Sequence, residues 1–255
     1  MAASILVKDL FYRVSAQLSD LSPQFTRWTH TDLVDYYNDG ARAIAKLMPS
    51  ATMRMDSIKL DPGARQSLDS VGPTRIIPGD GSTPTTLQCN QLVDVVCLMG
   101  EDGQTPGDAM RLFDRNAMDL MYPQWGSKTG TPREYAVDER MPKTFWVYPG
   151  VPSNETWWVR CMLLADPVAL PYDGDYSASG SDTTVLSIDD VNLDDLFNYM
   201  MARAHMRDAE YAAGAALAQV YVTAFVNSMN QRVKAMTGTS PNLQTLPNAP
   251  SQPAP

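Results

Sequence analysis

Cysteine and histidine are both scarce in this chain, which narrows the metal and redox chemistry open to it. The 255 residues include three cysteines and two histidines. Cys89, Cys97 and Cys161 form no C-x-x-C pair, so we interpret them as small buried hydrophobes of a protein in a reducing compartment. His30 and His205 belong to no H-x-x-x-H or H-E-x-x-H pattern, so we expect partly exposed helical residues rather than metal ligands or catalytic groups.

Long apolar runs and an excess of basic residues are missing as well. No apolar segment reaches the roughly 18 residues that a membrane-spanning helix needs. No charged segment precedes an apolar one at the start of the chain, so we expect no signal peptide. The formal net charge is −9. That balance disfavours a DNA-binding regulator, because a DNA-binding surface normally needs clustered Lys and Arg.

Motifs for phosphate binding and catalysis are also lacking. Residues 79–81 (GDG) lack the third glycine of a dinucleotide-binding turn, residues 126–130 (GSKTG) depart from the P-loop pattern, and no G-x-S-x-G elbow occurs. Some aspartates crowd a predicted helix start without the spacing of a calcium loop, and we interpret them as favourable charges at a helix N-terminus: Asp189, Asp190, Asp194 and Asp195. The sequence therefore predicts a protein that is not an enzyme and holds no cofactor or metal.

Residues 27–49 carry the clearest helix pattern. Thr29 is placed to cap the helix, and Asp32 follows three residues later, close to a capping box. Apolar residues recur at helical spacing, and Pro49 ends the pattern. A preceding helix is predicted over residues 4–19.

The middle of the chain predicts β structure. Several segments are predicted as strands, and the last two of them as an antiparallel hairpin: 53–60, 92–99, 144–148 and 156–164. A short helix is predicted over 108–121, and loop composition occurs over 61–86 and 171–187. The aromatic residues of the last two strands are expected to pack one sheet core: Phe145, Trp146, Trp157 and Trp158.

Residues 189–236 predict the longest helix of the chain. Residues 209–218 within it are almost all small, so a neighbouring helix can approach closely. Gly214 leaves open a break into two helices, because glycine is unfavourable in a helix interior. The residues after this helix are rich in proline and predict an extended tail with no core of its own.

Together these elements predict an α+β fold: a helical bundle formed by the N-terminal and C-terminal helices, with an inserted antiparallel β-rich subdomain and an extended C-terminal tail. The expected divisions are an N-terminal helical part, a β-rich middle with one short helix, a long C-terminal helix completing the bundle, and a Pro-rich tail: residues 1–50, 51–187, 188–238 and 239–255. We expect the helix over 27–49 to bury its apolar stripe against the helix over 189–236.

The order of several short motifs resembles that of tailed-bacteriophage head-to-tail adaptor (connector) proteins, over most of residues 4–236. The motifs are W-T-x-x-D-L with Y-x-N-D and R over 28–42, P-Q-W with T-P-R-E-Y-A-V-D and F-W-V-Y-P over 123–149, W-V-R-C with D-P over 158–167, and A-R-A-H-M-R-D-A-E-Y-A over 202–212. One departure is Gly40, where the family pattern N-D-A-Q-R is replaced by N-D-G-A-R. A bend of the helix at this glycine is left open.

The resemblance implies a structural virion protein. It implies a ring subunit, commonly in a dodecamer, that sits beneath the portal protein and receives a tail or nozzle protein, with a channel through which genomic DNA leaves. Such a protein assembles in the host cytoplasm and stays in the neck or tail of the virion, and its negative charge would give the channel an acidic wall. The C-terminal extension is expected to dock on the portal, with these candidate residues: Pro241, Asn242, Leu243, Leu246, Pro247 and Pro250.

Other interpretations stay open beside this one. Some residues of the small-residue helix are candidates for packing between subunits, with packing inside one subunit an equal alternative: Ala212, Ala215, Ala216 and Gln219. Another neck or tail-completion protein would bind the tail rather than the portal. A carbohydrate-binding or hydrolase module is suggested by the aromatic strands, and it requires that Trp146 and Trp157 be exposed.

Overall fold

The structure is a computed structural model that describes residues 5–20, 27–69, 71–79, 86, 88–176, 180–207 and 212–239. Within these residues the chain forms five α-helices and nine β-strands. The helices are α1 (Val7–Gln17), α2 (His30–Leu47), α3 (Arg115–Met121), α4 (Leu193–Arg207) and α5 (Ala212–Thr239). The strands are β1 (Met53–Lys59), β2 (Gly63–Ser67), β3 (Ile76–Pro78), β4 (Cys89–Met99), β5 (Pro106–Ala109), β6 (Arg111–Leu112), β7 (Glu134–Val137), β8 (Thr144–Val151) and β9 (Trp158–Ala165).

The chain divides into two compact units, one of residues 1–51 with 167–255 and one of residues 52–166. The predicted fold, a helical bundle of the N-terminal and C-terminal helices with an inserted β-rich subdomain, is wrong. The chain has a mixed fold of five helices and two sheets, in which the two-sheet unit, residues 52–166, makes up nearly half of the chain. The physical reason is that the alternating segments of the second unit build two sheets around a core of their own, while the helices of the first unit share their core with irregular chain.

Helix α2 begins where the sequence pattern predicted. The Thr29 hydroxyl accepts a hydrogen bond from the backbone N–H of Asp32 at 3.3 Å, and the Asp32 carboxylate accepts one from the backbone N–H of Thr29 at 2.9 Å. These two bonds form a complete capping box. The helix continues through Gly40. It packs against α4, which confirms the predicted pairing of the two helical ends of the chain.

Residues 189–236 form two helices rather than one. Helices α4 and α5 pack antiparallel, since the ring of Tyr199 meets that of Phe225 (centroids 5.5 Å apart) and the ring of His205 stacks on that of Tyr221 (5.6 Å). Gly214, at which the sequence left open a break between two helices, lies inside α5. The break between the two helices therefore lies before Ala212 and not at Gly214.

Irregular chain between β9 and α4 completes the core of the helical unit. The Asn38 side chain of α2 donates to the Leu170 carbonyl at 3.2 Å and accepts from the Leu170 N–H at 2.8 Å. The Tyr37 hydroxyl accepts from the backbone N–H of Ser187 at 2.8 Å. The buried apolar residues of this segment are Leu170, Tyr176, Leu186 and Ile188. A segment with loop composition thus supplies core side chains.

Two sheets pack face to face in the second unit. Their strand orders are β3-β1-β9-β4-β5 and β2-β8-β7-β6. The shared core takes side chains from both sheets, among them Ile58, Val95, Val159, Cys161, Leu163, Tyr135, Phe145 and Val147. Strands β8 and β9 lie in different sheets, so the predicted hairpin between residues 144–148 and 156–164 is wrong.

The aromatic residues of this region do not share one core as predicted. Side chains of a strand alternate between its faces, so Phe145 enters the shared core while Trp146 lies on the opposite face of its sheet, beside Trp125. Trp158 packs in a further small cluster, and Trp157 packs partly against the shared core.

The helix predicted over residues 108–121 is shorter than expected. Its first part forms β5 and β6, which pair with β4 and β7. The Asp114 carboxylate accepts hydrogen bonds from the N–H groups of Asn116 (2.8 Å) and Ala117 (3.3 Å) and caps α3. Aspartate is favoured at a helix cap over a helix interior, so α3 begins after this residue.

Candidate subunit and partner interfaces

A buried ion pair joins α4 to α5. The Asp195 side chain in the first turn of α4 is 1% exposed, and it lies 3.3 Å from the Arg232 guanidinium of α5. The same guanidinium donates to Asn192 Oδ1 at 2.8 Å and also to the Val191 carbonyl. Because a buried carboxylate without its cation is costly, this contact fixes the register of the two helices.

The other aspartates of that segment have separate surroundings. Asp194 lies in the first turn of α4, where the helix dipole favours a negative charge, and it forms an exposed ion pair with Arg13 of α1 at 3.0 Å. Asp189 precedes a single-turn helix, Asp190–Asn192, and its side chain caps nothing there. In the part of the chain that the structure describes, no three His, Cys, Asp or Glu side chains converge to hold a metal ion.

Helix α5 buries one narrow side and leaves the rest in solvent. The buried side contains Gly214, Ala218, Phe225 and Met229. On another side Ala213, Leu217, Val220 and Ala224 recur at helical spacing, and we name this set the α5 outer stripe. Leu217 is 45% exposed and Val220 is 62% exposed. An apolar helix face in solvent is typical of a surface that a partner covers.

The structure places most of the predicted subunit-packing residues in solvent. Ala215, Ala216 and Gln219 are exposed on α5 and do not form its buried side. Ala212 is the first residue of α5. The tail residues predicted for partner binding, Pro241 to Pro250, lie outside the described residues.

Leu217 and Val220 are interface candidates that the sequence did not suggest. The alanines were predicted as packing residues because of their small size. The stronger indication of an interface in the sequence is the absence of charged residues. No Lys, Arg, Asp or Glu occurs over residues 212–231, in a chain with 19% charged residues. Such a run on a surface helix predicts a covered face, since charged residues are depleted at the centres of protein interfaces.

Histidine and cysteine side chains lie in packed surroundings. The His30 ring stacks on the Tyr176 ring with centroids 5.4 Å apart. Burial lowers the pKa of His30, and the nearby Asp175 carboxylate opposes that shift. All three cysteines are free and buried, as predicted. Burial raises the pKa of Cys89 to about 11 and also raises the pKa of the Cys161 thiol.

Trp146 and Trp157, which a carbohydrate-binding module would expose, are buried and half-buried, respectively. Trp146 is 8% exposed, and the Arg115 guanidinium lies 4.1 Å from the centroid of its ring. Trp157 is half-buried, and its indole N–H donates to the Glu155 carboxylate at 2.8 Å. Trp146 and Trp157 are therefore not the pair of exposed rings that a carbohydrate-binding module requires.

The order of the motifs indicates one class of protein, a phage head-to-tail adaptor. The chain belongs to the SU10 adaptor protein family, whose family model matches residues 6–246. It is therefore a phage virion component that associates with other neck or tail proteins. A search of curated proteins finds no match. Among the described residues, no helix combines the length and apolar character needed to cross a membrane.

Proposed function

We propose that this adaptor forms a ring beneath the portal protein and joins the portal to a tail or nozzle protein. In this proposal the ring is a dodecamer, assembled in the host cytoplasm and retained in the neck of the virion. Genomic DNA passes through its lumen without specific binding. The protein catalyses no reaction; it closes one interface between identical subunits and makes contacts with two different partners.

The observation that carries this proposal is the α5 outer stripe. Copies of a chain with a net charge of −9 repel one another. A contact between copies is therefore least unfavourable where the surface carries no charge. The exposed side of residues 213–231 forms such a surface over about 30 Å of helix, and the exposed side chains of Leu217 and Val220 supply apolar area to bury.

The distribution of charge supports a lumen that does not hold DNA. Residues 167–195 contain seven aspartates and no Lys, Arg or Glu. Asp194 pairs with Arg13 and Asp195 pairs with Arg232. An acidic wall repels phosphate, so a channel lined by this segment would let DNA slide without arrest.

Sedimentation of the protein with purified portal rings of the same phage tests the proposal. We expect the protein alone to sediment as a monomer or weak oligomer and to co-sediment with portal rings as a ring visible by negative-stain electron microscopy. A protein that stays behind when portal rings sediment would contradict the proposal. Binding to tails but not to portal rings would instead favour a tail-completion protein.

A further inference from the structure

Helix α3 is held rigidly on the outer face of the four-stranded sheet. The Arg115 guanidinium lies over the Trp146 ring and pairs with Asp119 at 3.6 Å and Asp138 at 3.3 Å. Asp119 also accepts a hydrogen bond from the indole N–H of Trp125 at 2.7 Å. These contacts fix the orientation of a short helix that would be marginal by itself.

The outward side of α3 is apolar and almost fully exposed. Leu120 is 84% exposed and Met121 is 82% exposed, the highest values among the large apolar side chains that the structure describes. Asn116 and Ala117, also exposed, complete an uncharged surface. We name Asn116, Ala117, Leu120 and Met121 the α3 knob. A rigid support under exposed apolar side chains is typical of a preorganised binding element.

A hollow with both apolar and charged lining lies at the start of β1, in the five-stranded sheet of the same unit. On the five-stranded sheet, Met53 pairs with Leu164 and Met55 pairs with Met162 across β1 and β9. A hollow of about 430 Å³ opens beside these strands, and we name it the β1 hollow; it is lined by Met53, Arg54, Met55, Asp56, Gly79 and Arg160. Methionine side chains adapt to the shape of a partner, and the volume lies within the roughly 300–1,000 Å³ of pockets that hold organic groups.

The lining of the β1 hollow and the surface beside the α3 knob carry opposite net charges. The β1 hollow is lined by two arginines and one aspartate, a net charge of +1. Arg54 pairs with the buried Asp56 at 2.7 Å, whereas Arg160 makes no ion pair with any described residue. The depression beside the α3 knob has a net charge of −1, from these residues: Asp114, Arg115, Asp138, Glu139 and Arg140. The net negative charge beside the knob thus complements the net positive charge of the lining of the hollow.

We propose that the α3 knob of one copy inserts into the β1 hollow of the next copy. The two surfaces lie on different sheets of one two-sheet unit and share no residue, so the contact is head-to-tail and a pair of copies keeps one free knob and one free hollow. Repetition of such a contact closes a ring when the rotation between copies allows it. A two-fold dimer through the knob would instead bring two Leu120–Met121 surfaces together and leave both hollows empty. The inference rests on the proposed function, since it assigns a second contact to the same ring.

Single-cysteine variants test this contact in the full-length protein. Leu120→Cys and Met55→Cys replace exposed side chains, while the native cysteines are buried. Each variant is treated alone and in a mixture with a short bismaleimide, both at high protein concentration and on portal rings. We expect covalent dimers only in the mixture, and a ladder of higher species from the Leu120→Cys/Met55→Cys double variant. The control is Val191→Cys, whose position is 72% exposed on the other unit; mixed with Met55→Cys, it should give at most one tenth as much dimer.

Each outcome of this experiment supports or overturns the contact. Dimers from Leu120→Cys alone would indicate a two-fold contact and overturn it. A mixture that stays monomeric would overturn it as well, whether or not wild-type rings form on the portal. Rings on the portal without mixed dimers would leave the proposed function intact and remove this contact alone. Mixed dimers without binding to portal rings would support the contact and contradict the proposed function.

Discussion

Gly40 of α2 lies directly against Leu196 of α4. A Cβ atom built at Gly40 would be 2.6 Å from Cδ1 of Leu196 and 3.0 Å from Cδ1 of Tyr199. Leu196 is fully buried, so it has little room to move. The glycine therefore sets how closely the N-terminal and C-terminal helices of the chain approach.

Substitution of that glycine is expected to destabilise the fold. Gly40→Ala gains about 1 kcal/mol of helix propensity, whereas overpacking a core costs typically about 1–3 kcal/mol. We expect the free energy of unfolding in urea to fall by about 1 kcal/mol, and further for Gly40→Val. Gly126→Ala is the control, because a Cβ there meets nothing within 4 Å. A Gly40→Ala variant as stable as the wild type would show that the approach is not tight.

Removal of the cation at the α4–α5 joint is expected to be costly. Arg232→Met leaves the buried Asp195 carboxylate without its partner, and we expect a loss of about 3 kcal/mol of unfolding free energy. Arg13→Met is the matched control: it removes the partner of the neighbouring Asp194, in a pair whose side chains are 51% and 74% exposed. That change should cost less than about 1 kcal/mol. Equal losses, measured by chemical denaturation, would show that burial of Asp195 does not matter.

Stability is expected to depend on the protonation of His30. Burial lowers the pKa of His30 below its ordinary 6.5, so the unfolded chain binds this proton more readily than the folded chain. The contribution of neutral His30 is therefore fully present above pH 6.5 and is lost as the pH falls through the lowered folded-state pKa. Urea unfolding at pH 7.5 and pH 5 should show wild type losing stability relative to His30→Gln at the lower pH. A stability difference that does not change with pH would contradict this.

Charge placed on the α5 outer stripe is expected to block ring formation without unfolding the protein. Leu217→Glu with Val220→Glu changes two exposed positions, so the melting temperature should stay close to that of the wild type. Desolvation of the new carboxylates should abolish rings on the portal in negative-stain images. Val191→Glu, at a position 72% exposed outside α5, serves as control and should still form rings. Rings formed equally by both variants would place the subunit contact elsewhere.

Deletion of residues 241–255 is expected to weaken binding to the portal. The resemblance to phage adaptors assigns portal docking to this extension, which lies outside the described residues. We expect at least a tenfold loss of affinity for portal rings by surface plasmon resonance, with an unchanged melting temperature. Unchanged affinity would show that the tail is not the docking element.

Local chemistry explains which parts of the fold could be predicted from the sequence. The start of α2 was predictable because Thr29 and Asp32 supply both halves of a capping box within one turn. The hairpin of β8 with β9 was predicted wrongly because nearness in sequence favours pairing, while the partners of β9 are the distant β1 and β4. The alternation of side chains along β8 places Phe145 and Trp146 on opposite faces, and it can be predicted from the sequence. The clustering of aromatic residues nevertheless favoured the prediction of a single core.

The interface features depend on contacts between distant segments, so the sequence alone did not place them. Nothing near Gly40 in sequence indicates that Leu196 will occupy the space of its missing Cβ. In the sequence, Asp195 is one of several acidic residues near a helix N-terminus. Its ion pair with Arg232 forms only because α5 packs antiparallel to α4. The α5 outer stripe differs, since the uncharged run over 212–231 was visible in the sequence.

Cryo-electron microscopy of portal rings saturated with this protein tests the central claim most directly. The prediction is a closed ring of density beneath the portal, with one copy of this protein per portal subunit and with Leu217 and Val220 of α5 buried between adjacent copies. Portal rings that carry no added density, or a ring in which both side chains face solvent, would contradict the claim.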